Sequence, residues 1–225
     1  MGIVHTDDGA DIFYKDWGGS GQPIVFSHGW PLSSDDWDAQ MLFFLQRGYR
    51  VVAHDRRGHG RSTQTAGGHD MDRYADDLAT LVDHLDLHDV IHVGHSAGGG
   101  AKWSDTWPDT ASNAPPRRPC CARCHPLMVQ TDTNPDGQPK AVFDDLQAQL
   151  AANRSEFYRS VASGPFYGFN RPQARYSEAI VANWWRQGMT GGAANAHYEG
   201  DRGLVADRLH RRPEEDHCSH TGDPQ

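Results

Sequence analysis

Basic charge is scarce in this sequence: 21 Lys and Arg against 30 Asp and Glu leave a formal net charge of -9 at pH 7. With an isoelectric point near 5.8, the chain lacks the counter-charge that a phosphate backbone or an anionic membrane surface requires. The pairs Arg56-Arg57 and Arg211-Arg212 are too short to reverse that balance. Long apolar runs are also missing, none approaching the roughly 20 residues that span a bilayer. The opening "MGIVHTDDGADIFY" has neither the charged nor the apolar region of a secretory leader. A cytoplasmic protein with no nucleic-acid and no membrane partner is the expectation. Cysteine is rare, at Cys120, Cys121, Cys124 and Cys218. Cys121 and Cys124 have metal-pair spacing, and with His125 they form a nominal haem-attachment string. A zinc site would want a second matched pair, and haem attachment would want export. Metal or haem is therefore the weakest reading, and no cofactor is expected.

What is present alternates between strand and helix. "PIVFSHG" (23–29), "YRVVAHD" (49–55) and "DVIHVGHS" (89–96) read as buried parallel strands, and "DIFYKDW" (11–17) alternates as an exposed one. Between them, Ser34 is placed to cap a helix carrying Trp37, Met41, Phe44 and Leu45, with Gly48 as its stop. Asp70 or Asp72 opens a second helix with Tyr74, Leu78, Leu81, Val82 and Leu85 on one stripe. This order predicts an α/β protein, a mostly parallel sheet with helices on both faces. Further helices are expected over 140–152, over 153–162 and near "EAIVANWWRQGM", with "GPFYGFN" (164–170) as an aromatic turn. Two windows break the pattern. Residues 101–126 hold Pro108, Pro115, Pro116, Pro119 and Pro126 and no periodicity, and 200–225 is polar, His-rich and expected to be a disordered tail. These windows explain why mean hydropathy is as low as -0.73 for a chain with a buried sheet.

The chemistry concentrates at Gly94-His95-Ser96-Ala97-Gly98, directly after a buried strand. A serine on a tight strand-to-helix turn projects its Oγ above the sheet, and the flanking glycines avoid a clash. Ser96 is thus the candidate nucleophile, the bland alternative being a helix cap. His28-Gly29-Trp30-Pro31 ends an earlier strand, so the backbone N–H groups of Trp30 and Ala97 are candidate oxyanion donors. Alternatively, Trp30 is only a packed aromatic. Asp55 is tempting as a triad acid, but with Arg56 and Gly58 it reads better as a hydrogen-bonded turn supporting the serine loop.

Those stretches, with "SHGWPLSSDDWDAQMLFFLQRGYRVVAHDRRGHGRS", "TDTNPDG", "SGPFYGFN" and "NWWRQGM", resemble the cofactor-free (non-haem) chloroperoxidase, arylesterase and perhydrolase branch of the α/β-hydrolases. The resemblance covers 1–100 and about 127–199. It implies an α/β-hydrolase core with a helical cap, a Ser-Asp-His triad and hydrolysis of small carboxylic or aryl esters. With carboxylic acids and hydrogen peroxide it implies peracids, which oxidise halide without haem or metal. It divides the chain into core (1–126, anomalous over 101–126), cap (127–199) and anomalous tail (200–225). His28, Pro31, Phe166 and Trp184 become candidate substrate contacts. Phe166, Tyr167, Trp184 and Trp185 serve equally well as cap core or acyl-pocket lining. Oligomerisation is left open.

The chain departs from the family where the triad acid and histidine are expected. No matching Asp or His is identifiable, so the C-terminal part of the core reads as missing. Suitable codons for 101–126 and 200–225, shifted in frame, can encode family-like continuations, which makes frameshift a single explanation for both windows. The expectation is an impaired esterase. The alternative is a catalytically dead remnant or an acyl-pocket binding protein.

Overall fold

The computed structural model describes residues 1–99, 130, 132, 135–192 and 194–198. The anomalous windows at 101–126 and 200–225, the Cys121, Cys124 and His125 cluster, and the core–cap boundary near 126 lie outside the described residues.

Among the described residues, five strands form one sheet in the order β1-β2-β4-β3-β5: β1 Gly2–His5, β2 Asp11–Asp16, β3 Pro23–Ser27, β4 Arg50–His54 and β5 Ile91–Gly94. The inner strands β4, β3 and β5 run parallel, while the hairpin β1-β2 joins β4 antiparallel. Because β3 and β4 are covered on both sides, successive residues point into different cores. Val25 and Val52 pack with Leu78, Leu81 and Val82 of helix α2, Met71–His84. Ile24, Phe26, Val51 and Ala53 pack on the opposite face with Trp37 and with Met41 of helix α1, Asp38–Leu45. Helices thus cover both faces, as the alternation of elements predicts.

The helix termini follow local chemistry. Asp70 caps α2, its carboxylate accepting from the Arg73 N–H at 2.9 Å. The segment before α1 departs from expectation. Ser34 does not cap it; its N–H donates to Asp55 at 2.7 Å and its hydroxyl accepts from Arg61 at 3.0 Å. Ser33 takes the role instead, opening a short 3-10 turn over Ser34–Trp37 before the α-helix begins. Gly48 ends that region with φ +88°, as its expected stop function requires.

Helices α3 (Lys140–Ala152), α4 (Arg154–Val161), α5 (Glu178–Thr190) and α6 (Ala194–Tyr198) form a separate layer. Asn153 and Ser177 cap α4 and α5. Their apolar centre is Leu150, Phe157, Tyr158, Ala162, Val181 and Trp184, and it takes in Leu32 and Trp30 from the loop after β3. A π-turn over Ala162–Phe166, with Gly164 outside helical geometry, extends α4 into the expected aromatic stretch, which then turns over 167–170.

Candidate active site

The parallel register pairs Ser27 with Gly94, so β3 and β5 end side by side and their following turns meet. The His95 N–H donates to the Ser27 carbonyl at 3.1 Å. Ser96 then adopts φ +52°, a left-handed conformation a non-glycine residue rarely holds. A short 3-10 turn over Ser96–Gly99 follows.

The glycines act through close approach. A Cβ on Gly94 would fall 2.2 Å from the Gly98 carbonyl oxygen, and one on Gly98 would fall 2.2 Å from that of Ser27 and 2.5 Å from that of His28. A Cβ on Gly29 would lie 2.8 Å from the His95 ring. The turn that carries Ser96 and Ala97 is thus packed against the end of β3 and the His28–Gly29 step that leads to Trp30.

Among the expected substrate contacts, the outcome is mixed. Phe166 is 38% exposed and stands edge-on to His95, ring centroids 5.8 Å apart, beside the serine turn. Trp184 lies behind it at 5.2 Å, almost wholly buried. Pro31 is buried and follows a cis Trp30–Pro31 peptide. His28 is wholly buried, with Nδ1 on the Gly29 carbonyl at 2.9 Å and Nε2 accepting from the Arg56 N–H at 3.0 Å. Burial and the neighbouring Arg56 charge hold it neutral, its pKa well below the ordinary histidine value. Both nitrogens being occupied by main chain, His28 shapes the loop from beneath.

Asp55 behaves as the structural turn that the sequence suggested. Its carboxylate accepts from Ser34 N, Arg61 N and Arg61 Nε at 2.7, 2.8 and 2.8 Å. Burial would raise its pKa, but the hydrogen bonds from Arg61 and Ser34 keep it below the usual carboxylate value. Arg56 reaches the serine turn from the same loop, Nη1 lying 3.4 Å from the Ala97 carbonyl.

The helical layer grips the Trp30 loop at several points the sequence did not disclose. Trp30 Nε1 donates to the His197 carbonyl at 3.0 Å, and Gln187 Oε1 accepts from both the N–H and the hydroxyl of Ser33 at 3.1 Å. His197 also packs against His59, 4.9 Å between the centroids of tilted rings, and His59 against His28 at 5.1 Å. Burial depresses His59 well below the ordinary value and His197 to about 3. Gln187 carried one available signal, a polar residue on the face of α5 that buries Val181 and Trp184. Among the described residues no group of three or more His, Cys, Asp or Glu could hold a metal ion. Nor is any described helix long and apolar enough to cross a membrane.

A parallel sheet covered on both faces, with a left-handed serine at the end of β5, defines the α/β-hydrolase architecture. A family model described as "alpha/beta hydrolase fold" matches residues 22–101. A bifunctional esterase/perhydrolase of Acinetobacter calcoaceticus is 62% identical over 204 residues, spanning 89% of this chain and 72% of that protein. A non-heme haloperoxidase of Rhodococcus erythropolis is 58% identical over 200 residues, with the same two shares. The solved bromoperoxidase structure from Bacillus anthracis superposes with a TM-score of 0.77 at 25% identity, over 91% of this chain and 73% of that one. The chain belongs to the non-haem haloperoxidase and esterase/perhydrolase branch of the α/β-hydrolase family.

Proposed function

We propose that the site is built for acyl transfer from small carboxylic or aryl esters, with Ser96 as nucleophile. Ser96 Oγ attacks the ester carbonyl, and the oxygen that gains the electron pair is held by the Trp30 and Ala97 N–H groups. The alcohol leaves with a proton, and water attacks the acyl-serine to release the acid. Hydrogen peroxide in place of water releases a peracid, which oxidises halide in solution. That chemistry needs no metal or cofactor. Phe166, backed by Trp184, forms one wall beside the serine turn, and Pro31 shapes the other. Residues 127–199 act as a cap over the 1–126 core. The observation that carries this reading is the left-handed Ser96 clamped between glycines against the Trp30 loop.

We further propose that turnover by this chain is impaired. The support is in the sequence: residues 101–126 and 200–225 break the family's pattern, and both windows are compatible with frameshifts. Loss of triad function in serine hydrolases costs on the order of 10^4- to 10^6-fold in kcat. Hydrolysis of 4-nitrophenyl acetate by the purified chain and its Ser96→Ala variant, alongside the full-length esterase/perhydrolase of Acinetobacter calcoaceticus, tests this. Strong hydrolysis by the relative and very weak, Ser96-dependent hydrolysis by this chain are expected. A rate equal to the relative's would overturn the impairment, and a rate unaffected by Ser96→Ala would overturn the nucleophile.

A further inference from the structure

Trp30 sends its main chain to the serine turn and its side chain into the helical layer. The indole packs against Phe157, Tyr158 and His197, with centroids 6.3, 5.9 and 6.2 Å away. Its Nε1–H donates to the His197 carbonyl at 3.0 Å. That acceptor sits on α6, a helix of only five residues, too short to hold its own position. Two side chains tether it: Gln147 Nε2 donates to the Tyr198 carbonyl at 3.1 Å, and Tyr158 holds the His197 ring. The Tyr158 hydroxyl and His197 Nδ1 are hydrogen-bonded at 2.6 Å in a buried setting. Burial keeps His197 neutral. Tyr158 itself is wholly buried on α4, edge-on to Trp184 at 5.8 Å. A Cβ on Gly188 of α5 would come within 2.7 Å of its ring, so the space around the phenol is closed.

We propose that Tyr158 is a positioning residue for the oxyanion hole: through His197 and the Trp30 indole it fixes the Trp30 N–H against the Ser96 turn. The proposal rests on reading Trp30 and Ala97 as the oxyanion donors. The arrangement links the helical layer to the chemistry through one chain of buried contacts. A donor is effective only when it already points at the place where charge develops. Releasing the indole lets the loop relax and takes the amide out of line.

The test uses the full chain and a fluorophosphonate, whose phosphonyl oxygen occupies the oxyanion position once Ser96 is modified. Tyr158→Phe is expected to lower the maximal labelling rate at least about tenfold, a larger change than in the half-saturating probe concentration. Trp30→Phe, which keeps the amide but removes the indole donor, should cost as much, and the double variant no more than either. In 15N NMR spectra the Trp30 indole N–H, assigned by its loss in Trp30→Phe, should shift and exchange faster with water in Tyr158→Phe. An unchanged labelling rate in Tyr158→Phe, or an equal further loss in the Trp30→Phe background, overturns the proposal. An indole resonance that does not respond to Tyr158→Phe overturns it as well. Absence of any Ser96-dependent labelling in the parent chain would instead remove the nucleophile reading, with the indole resonance still deciding whether the tether exists.

Discussion

Gly98→Ala is the most direct perturbation of the contact that joins the two turns. The new Cβ would stand 2.2 Å from the Ser27 carbonyl oxygen and 2.5 Å from that of His28, where ordinary contact begins at 3.4 Å. Both obstacles are main-chain atoms of β3 and its exit, so no side chain can rotate away. The serine turn must retreat by about 1 Å, an overpacking strain that typically costs about 1–3 kcal/mol. For a chain of this size each kcal/mol lowers Tm by about 2–4 °C. The same retreat separates Ser96 and Ala97 from the Trp30 loop, so Ser96 labelling by a fluorophosphonate should slow by at least about tenfold. Gly67 is the matched control: a Cβ there meets nothing within 4 Å, and Gly67→Ala should change stability by about 0.5 kcal/mol or less. Scanning calorimetry and a labelling time course read both effects. Gly98→Ala with the parent Tm and the parent labelling rate would refute the clamped-turn argument.

Other regions of the fold make separate predictions. Arg57 and Asp77 form a two-pronged pair at 2.6 and 2.7 Å with both side chains 2% exposed, so Asp77→Asn should cost about 3 kcal/mol or more in urea unfolding; a loss below about 1 kcal/mol would show the pair to be dispensable. Asp70→Ala removes the α2 cap and should cost about 1 kcal/mol, a no-effect result meaning that the Arg73 N–H finds another acceptor. Burial holds His54 at about 4 and His92 and His197 at about 3 against 6.5 in the unfolded chain. Below about pH 6.5 the unfolded chain therefore binds more protons than the native one, and stability falls as pH falls towards 4. The urea midpoint should be lower at pH 5 than at pH 7.5; an equal or higher midpoint at pH 5 would contradict the buried, neutral histidines.

The parts of this fold that were legible in the sequence are those whose burial leaves a local trace. Strands β3 and β4 are covered on both faces and read as apolar runs; α2 shows one buried stripe and an acidic cap. The serine turn was legible because it needs glycine at fixed offsets from a strand end. β1 was not, since its four residues bury only Val4 and its pairing with β2 is set by the hairpin rather than by alternation. The cap ahead of α1 was misplaced by one residue because Ser34 is claimed by Asp55 and Arg61, partners remote in sequence, and a 3-10 turn over Ser34–Trp37 delays the α-helix to Asp38. The Trp30–His197 and Tyr158–His197 links span 167 and 39 residues, and no periodicity encodes contacts of that reach. His28 was a candidate substrate contact through the family resemblance. Only the register of β3 against β4 shows that its ring turns under the loop to meet Arg56.

The central claim is that Ser96 is held in place as an acyl-accepting nucleophile. Prolonged incubation of the purified chain with a fluorophosphonate, followed by peptide mapping by mass spectrometry, tests it most directly. The account predicts one slow-forming adduct on the peptide that contains Ser96, absent from Ser96→Ala. Modification of another residue, or no adduct in the folded chain, would contradict it.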